Sequence, residues 1–322
     1  MTQTALHVVT GKGGTGKTTV AVALALALAD QGQQVLVCEV EDRQGIAQLL
    51  DVAPLPYEER KVATGLGGGQ VFALAIDPES ALLEYLEIFY RLGRAGKALD
   101  KFGVIDFATT IAPGVRDVLL TGKIYEIARR AAKPSPAGPA YDAIVVDAPP
   151  TGRITRFLNV STQVAGLAKM GPIRKQADAI TAMMRSAATQ VHLVTVLEEM
   201  PVQETLDGVA ELRAAELPVG HIVVNLVQES LISAGTAAAL ASGELDTGAV
   251  AAVLAEAGLP EPAAPLLLAQ GEGHLERHQL QESQRSLLAE NDVDTVELPR
   301  LDGMDLGGLM DLAGRLREGG LA

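Results

Sequence analysis

The chain repeats one pattern, in which a short apolar run is followed by a longer segment with helical spacing. Apolar runs of about four to eight residues between turn residues are typical of strands buried in a parallel sheet. The intervening segments are long enough to form the helices that connect such strands. Predicted strands lie at residues 6–9, 34–40, 70–76, 141–147, 190–197, 219–224 and 293–298. The Pro- and Gly-rich residues 53–69 predict a loop. We therefore expect an α/β fold in three layers, with a mostly parallel sheet flanked by helices.

Composition narrows the functional classes. The chain has 322 residues and a net charge of −14, and the charge argues against a general attraction to nucleic acid or anionic lipid. The only cysteine, Cys38, lies in an apolar run and predicts a buried thiol rather than a disulfide. Neither a secretory leader pattern nor a long apolar stretch is present in the sequence, so we expect a cytoplasmic protein.

The clearest candidate site is the segment GKGGTGKTT, between the first predicted strand and a helical pattern at residues 20–29. It satisfies the spacing G-x-x-x-x-G-K-[ST] of the phosphate-binding loop, in which backbone N–H groups and a helix N-terminus hold an anion. Lys17 is placed to reach the β- and γ-phosphates, Thr18 to bind Mg²⁺, and Thr19 to donate to the α-phosphate. The predicted contacts of ATP or ADP are Gly11, Gly13, Gly14, Thr15, Gly16, Lys17, Thr18 and Thr19. The alternative is a glycine-rich turn that binds nothing.

Lys12 adds a second lysine directly after the first glycine of the loop. The form K-G-G-x-G-K-[ST] resembles the phosphate-binding loop of the deviant-loop ATPases. These include partitioning ATPases, the nitrogenase iron protein, the arsenical-pump ATPase and the tail-anchored-protein targeting ATPase. The resemblance implies a dimer in which Lys12 acts as a catalytic residue on the partner's nucleotide.

Carboxylates at the end of the second predicted strand are candidates for activating the attacking water. In the arsenical-pump and targeting ATPases this place carries Asp-Pro-Ala-His, whereas here Val40 falls where the aspartate would align. Glu39 and Glu41 are the nearest carboxylates and are the predicted catalytic residues. The alternative is that they are solvated or cap a helix at residues 45–50. The altered motif leaves the hydrolysis rate open.

Asp147 ends an apolar strand and begins the segment Asp-Ala-Pro-Pro-Thr-Gly-Arg. This segment resembles the Asp-Thr-Ala-Pro-Thr-Gly-His switch of the arsenical-pump and targeting ATPases. The position predicts that Asp147 holds Mg²⁺ through water, and the alternative is a helix cap. Residues 113–117 likewise resemble the Pro-Gly-Ile-Asp-Glu segment of those families. The resemblance implies a helical subdomain at about 80–132 and 154–189 within one domain spanning residues 1–322.

Further binding candidates follow from the same resemblance. Asn225 closes a strand where the family has an adenine-binding asparagine, and a turn residue is the alternative. Pro299 and Arg300 follow the last strand where the adenine-side loop of the family lies. Met170, Met183 and Met184 correspond to a client-binding groove in the targeting ATPase, although ordinary helix core is the favoured interpretation.

Several expected absences separate the chain from individual relatives. His274 and His278 have helical spacing, but no third ligand accompanies them in the sequence, so solvated histidines are favoured over a metal site. With one cysteine the chain lacks the thiolates of the zinc, iron–sulfur and metalloid sites found in these families. We expect no zinc, no Fe–S cluster, no metalloid site and no nucleic-acid partner.

The leading hypothesis is a dimeric Mg-ATP switch ATPase that couples ATP binding and hydrolysis to a protein client or membrane partner. Its dimer is either a homodimer or a heterodimer with a paralogous ATPase. One alternative is a weakly hydrolysing, nucleotide-binding subunit of such a heterodimer. The other is a membrane- or DNA-associated positioning ATPase.

Overall fold

A computed structural model describes residues 5–41, 43–90, 115–131, 140–160 and 172–322. Its centre is an eight-stranded sheet with the order β3-β4-β2-β5-β1-β6-β7-β8. All neighbouring strands are parallel except β3 and β4, which pair antiparallel. The predicted α/β class with a mostly parallel sheet is therefore confirmed.

The strands are β1 (Ala5–Gly11), β2 (Gln34–Glu39), β3 (Arg60–Thr64), β4 (Gln70–Ala75), β5 (Ala143–Asp147), β6 (Thr189–Thr195), β7 (Val219–Val227) and β8 (Thr295–Pro299). The first helices are α1 (Lys17–Asp30), α2 (Gly45–Leu49), α3 (Pro78–Tyr90), α4 (Val115–Ala131), α5 (Thr151–Leu158) and α6 (Pro172–Met184). The later helices are α7 (Glu199–Ala214), α8 (Ala234–Ser242), α9 (Thr247–Glu256), α10 (Ala264–Ala289) and α11 (Leu306–Glu318).

The prediction of a continuous loop at residues 53–69 is wrong, because β3 forms within it. Its sequence RKVAT has no buried position, and the strand lies at one edge of the sheet. An edge strand with exposed charged residues carries little of the apolar signal by which a buried strand is recognised.

Helix α1 is buried from Val20 to Ala29 between the sheet and α11. A helix that is apolar on all sides is stable only when both sides are covered, which explains its alanine-rich sequence. This burial fixes the N-terminus of α1 at the end of β1. The predicted buried thiol is confirmed, since Cys38 is free and fully buried.

Some predictions concern residues outside the described ranges. Met170 is among them, as are residues 91–114, 132 and 161–171 of the expected helical subdomain. Of the other two methionines, Met184 is buried in the core and Met183 packs against it, as ordinary helix core would. None of the helices in the described part of the chain is both long and apolar enough to cross a membrane.

Candidate functional site

The glycine loop joins β1 to α1 at the carboxyl edge of the sheet, and two of its glycines have no room for a side chain. A Cβ on Gly11 would lie 2.1 Å from the carbonyl oxygen of Val194 in β6. Gly16 has a φ of 89°, in the left-handed region, and its Cβ would lie 2.2 Å from Asn225 Nδ2. By contrast, a Cβ on Gly13 or Gly14 would meet nothing within 4 Å. The loop is therefore fixed on its inner side and open on its outer side.

Two side chains of the loop contact the carbonyl oxygen of Lys12. Thr15 Oγ1 donates to the Lys12 oxygen at 2.9 Å, and Lys17 Nζ lies 3.5 Å from the same oxygen. Lys17 is only 8% exposed, and burial lowers its pKa despite the opposing carboxylates of Asp147 and Glu41. A buried ammonium group beside a glycine loop at a helix N-terminus favours an anionic ligand such as a phosphate.

Thr18 and Asp147 meet directly across the loop. Thr18 Oγ1 donates to Asp147 Oδ2 at 2.7 Å, which links α1 to the end of β5. The second oxygen of this carboxylate, Oδ1, is buried and has no hydrogen-bond partner among the residues that the structure describes. Burial is the main cause that raises the pKa of Asp147 to about 6. A hydroxyl and an unsatisfied carboxylate oxygen are hard donors that fit Mg²⁺, so the predicted pair matches the chemistry of such a site.

Asn225, near the end of β7, contacts the phosphate-binding loop through its side chain. Its side chain is buried, and Nδ2 donates to the Thr15 carbonyl oxygen at 2.9 Å. The amide group thus ties the end of β7 to the phosphate loop, a role that the sequence did not predict. The expected contact with adenine is a separate role, and it stays a prediction.

Glu39 acts as a cap for the segment that follows β2. Its carboxylate accepts hydrogen bonds from the backbone N–H groups of Arg43, Gly45 and Ile46, at 2.8, 3.1 and 3.3 Å. This geometry matches the helix-cap alternative, and a carboxylate engaged with three amides is poorly suited to move toward a water. The segment in turn packs on the loop, because a Cβ on Gly45 would lie 3.0 Å from Thr18 Cγ2.

Glu41 belongs to a group of charged side chains beside Pro149. Arg153 reaches both carboxylates in this group, with 3.9 Å to Glu41 and 3.5 Å to Asp117. Together with Arg116 these residues line a polar cavity of about 150 Å³. Thr10 Oγ1 also donates to the Pro149 carbonyl oxygen at 2.7 Å and so fixes the start of the segment 149–153 to β1. Glu41 thus lies beside the segment 149–153, and its carboxylate opposes the lowering of the Lys17 pKa.

Lys12 contacts a residue that the sequence analysis did not identify. Its Nζ lies 2.7 Å from Oε1 of Glu204, which is on α7. Both side chains are about one-third exposed. No local motif marks Glu204, because the contact depends on the packing of α7 beside the loop.

The remaining candidates lie in the C-terminal part of the chain, on β8, directly after it and on α10. Pro299 ends β8, and the backbone N–H of Arg300 donates to the carbonyl oxygen of Val227 at 2.8 Å, two residues beyond Asn225. His274 Nε2 accepts a hydrogen bond from the backbone N–H of Leu231 at 3.1 Å. Within the described ranges no cluster of three or more metal-ligating side chains occurs.

Comparisons with known proteins agree with this geometry. Residues 4–188 match the model of a family described as anion-transporting ATPase. The chain is 51% identical over 324 residues to the ATPase BagA of Mycobacterium tuberculosis, an alignment that covers 98% of this chain and 93% of that protein. It is 27% identical to the arsenical pump-driving ATPase of Escherichia coli over 273 residues, which cover 78% of this chain and 44% of the pump ATPase. The phosphate loop, the Thr18–Asp147 pair and these matches show that the chain belongs to the anion-transporting ATPase family of P-loop proteins.

Proposed function

We propose that this protein is a Mg-ATP-dependent switch ATPase that works as a dimer and couples its nucleotide state to the binding of another protein or a membrane partner. The observation that carries the proposal is the convergence of Lys17, Thr18 and Asp147 at the start of α1. In this arrangement the loop amides and Lys17 bind the phosphates. Thr18 and Asp147 would hold Mg²⁺, which neutralises charge on the phosphates when bound.

Hydrolysis in this proposal relies on Glu41 rather than Glu39. Glu39 is held by three backbone amides, whereas Glu41 is partly exposed and pairs loosely with Arg43 and Arg153. A carboxylate that orients the attacking water must be free to accept its proton. Glu41 meets that requirement better.

Lys12 is the residue on which the proposed dimer depends. Its ion pair with Glu204 is partly solvated, and such pairs contribute only about 0–1 kcal/mol. Lys12 can therefore exchange Glu204 for a stronger anion at little cost. The phosphate of a nucleotide bound to a partner subunit is the anion we propose, and this exchange would favour the closed dimer.

Calorimetric titration tests the nucleotide site. Lys17→Ala should weaken Mg-ATP binding by about tenfold or more, because it removes a charge-assisted contact to the phosphates. Lys61→Ala, on the exposed edge strand β3, is the matched control and should bind as the wild type does. Equal affinity of wild type and Lys17→Ala would overturn the proposal.

The cap formed by Glu39 and the presence of Val40 at the aligned aspartate position favour a second candidate. In it the chain binds nucleotide but hydrolyses it weakly, and a paralogous subunit supplies the intact motif. Steady-state turnover of the purified chain separates the two. Rapid Mg-dependent hydrolysis that Lys17→Ala abolishes would exclude the second candidate.

A further inference from the structure

Two apolar helices on the C-terminal side of the molecule leave most of their surface uncovered. Helix α8, with the sequence AGTAAALAS, has no buried residue, and α9, with TGAVAAVLAE, buries only Leu254. Both are well-formed helices, since Ser233 caps α8 and Asp246 caps α9 through hydrogen bonds to backbone N–H groups. Apolar helices of this kind are normally covered on most sides.

Large exposed apolar side chains occur from just before α8 to the start of α10. Exposed fractions are 88% for Leu231, 62% for Val253, 55% for Leu259, 64% for Leu266 and 46% for Leu267. Such a concentration in one segment differs from the scattered exposed leucines of an ordinary surface. We call the exposed faces of α8, α9 and residues 259–267 the α8–α10 surface.

An open groove lies within this surface. Its volume is about 700 Å³, and it lies between α9 and the start of α10. The lining residues are mostly apolar and comprise Thr247, Ala251, Leu259, Pro260, Glu261, Pro262, Ala264 and Pro265. Prolines make the wall between the two helices stiff, so the groove exists before a partner binds.

Every charged side chain in the segment that carries the α8–α10 surface is acidic, if histidine is left aside. From Ala214 to Glu276 the sequence has no lysine or arginine. The exposed carboxylates from residue 228 onward in this segment are Glu229, Glu244, Asp246, Glu256, Glu261, Glu272 and Glu276. Among the residues that the structure describes, none of these carboxylates forms an ion pair. The apolar groove is thus bordered by unneutralised negative charge.

We propose that the α8–α10 surface binds a helical segment of a partner protein that has an apolar face bordered by lysine or arginine. Such a segment buries its apolar face in the groove and brings cations to the carboxylates. A second copy of this chain fits less well, because it would oppose one acidic border to another. An anionic membrane or nucleic acid is repelled for the same reason.

Fluorescence anisotropy with the full-length protein tests the proposal without nucleotide. The probe is a labelled peptide of leucine and lysine at amphipathic helical spacing, about 18 residues long. A peptide with glutamate in place of lysine is the matched control. We expect the leucine–lysine peptide to bind at least about tenfold more tightly than the leucine–glutamate peptide, and to bind less tightly as salt is raised.

Variants locate the binding site. Leu259→Ser/Leu266→Ser should weaken binding of the leucine–lysine peptide by about tenfold, since it removes apolar contacts at the groove. Leu66→Ser removes an even more exposed leucine, at 88%, from the β3–β4 turn and should have no effect. Glu256→Lys/Glu261→Lys should also weaken binding, whereas Glu58→Lys beside β3 should not.

Three results would overturn the proposal. The first is equal binding of the two peptides, and the second is peptide binding that Leu259→Ser/Leu266→Ser leaves unchanged. The third is a self-associated wild type that this double substitution converts to monomers in light scattering, because a second copy would then cover the surface. Lys17→Ala should retain peptide binding, so failure of the proposed nucleotide site is distinguishable from failure of this inference.

Discussion

Thr18 Oγ1 donates a 2.7 Å hydrogen bond to Asp147 Oδ2, and this bond joins the first turn of α1 to the end of β5. β5 and β1 are adjacent in the sheet, with Val9 opposite Asp147. The carboxylate is therefore positioned by strand register and not by a flexible loop. Its other oxygen is buried and has no partner in the described part of the chain, which makes the ionised carboxylate costly unless a cation is bound.

Asp147→Asn should stabilise the nucleotide-free protein and weaken Mg-ATP binding. Burial raises the pKa of Asp147 to about 6, so at pH 7.5 the folded protein holds a carboxylate that burial destabilises. Removing that charge should raise the free energy of unfolding by about 1–3 kcal/mol. Urea unfolding measures this gain, and calorimetry measures the loss of Mg-ATP affinity.

Binding of ATP without Mg²⁺ is the internal control for this variant. It should not weaken, because the phosphates would no longer face the Asp147 charge. Thr18→Val, which removes the hydroxyl, should share the loss of Mg-ATP affinity. A variant Asp147→Asn that binds Mg-ATP as tightly as the wild type would contradict a role of this residue at the metal.

Asn225→Asp tests the bond between β7 and the phosphate loop. An ionised aspartate has nearly the same shape but cannot donate to the Thr15 carbonyl oxygen, so the loop should lose its support from below. We expect affinity for ATP, GTP and inorganic triphosphate to fall together, by about tenfold. Competition binding with these three ligands measures the effect.

The same ligands separate the two roles of Asn225. If adenine recognition dominates, the affinity for ATP falls while that for inorganic triphosphate is unchanged. Gln228→Glu, at an exposed position just after β7, provides a comparable change of amide to carboxylate and should affect none of the ligands.

Glu39→Gln should lower stability, whereas Glu41→Gln should lower the rate of ATP hydrolysis. Glu39 satisfies three backbone amides, and the neutral amide group accepts them less strongly, so Glu39→Gln should lower the free energy of unfolding by about 1–2 kcal/mol. Glu41→Gln should leave stability nearly unchanged and reduce turnover. Thermal unfolding and steady-state ATP hydrolysis on both variants check this, and a full-rate Glu41→Gln enzyme would show that the water is activated elsewhere.

Three histidines across β1, β6 and β7 make stability sensitive to acid. The backbone N–H of His221 donates to Nδ1 of His192. The ring proton of neutral His192 therefore lies on Nε2, which donates to Nδ1 of His7 at 3.1 Å. Burial lowers the pKa of His7 to about 4 and that of His192 well below its usual value. These rings stay neutral in the folded protein, whereas in the unfolded chain they take up protons below about pH 6.5.

The histidine contribution to stability is therefore complete above pH 6.5 and is lost as pH falls toward 4. From pH 7.5 to pH 5 the loss from His7 alone is about 2 kcal/mol. Asp147 acts in the opposite direction, because its raised pKa stabilises the folded protein on protonation. Urea unfolding in the Asp147→Asn background isolates the histidine effect, and a free energy that does not fall between pH 7.5 and 5 in that variant would contradict it.

Local spacing in the sequence predicted the loop and Asp147, because each belongs to one continuous segment at a strand end. The bond from Asn225 to Thr15 could not be predicted in this way, since the residues are 210 positions apart and meet only through sheet order. Glu39 was placed at the correct strand end, but its role depends on how residues 43–46 turn back. β3 was missed because an exposed edge strand has no buried alternation to reveal it.

Glu204→Gln should increase ATP turnover if Lys12 exchanges partners during closure of a dimer. In the single chain Lys12 Nζ is held 2.7 Å from Glu204 Oε1, and this contact competes with transfer of Lys12 to a phosphate on the other subunit. A partly exposed pair contributes at most about 1 kcal/mol, so its loss should raise the ATP-dependent dimer fraction and the rate by up to about fivefold. Light scattering with and without ATP measures the dimer fraction.

Lys12→Ala should have a different signature, with ATP binding retained and turnover lost. The matched control for Glu204→Gln is Glu199→Gln, which removes an equal charge from the exposed first turn of α7 without touching Lys12. A lower rate in Glu204→Gln would mean that Glu204 positions Lys12 for catalysis. The ion pair would then be part of the active arrangement and not a resting contact that closure must break.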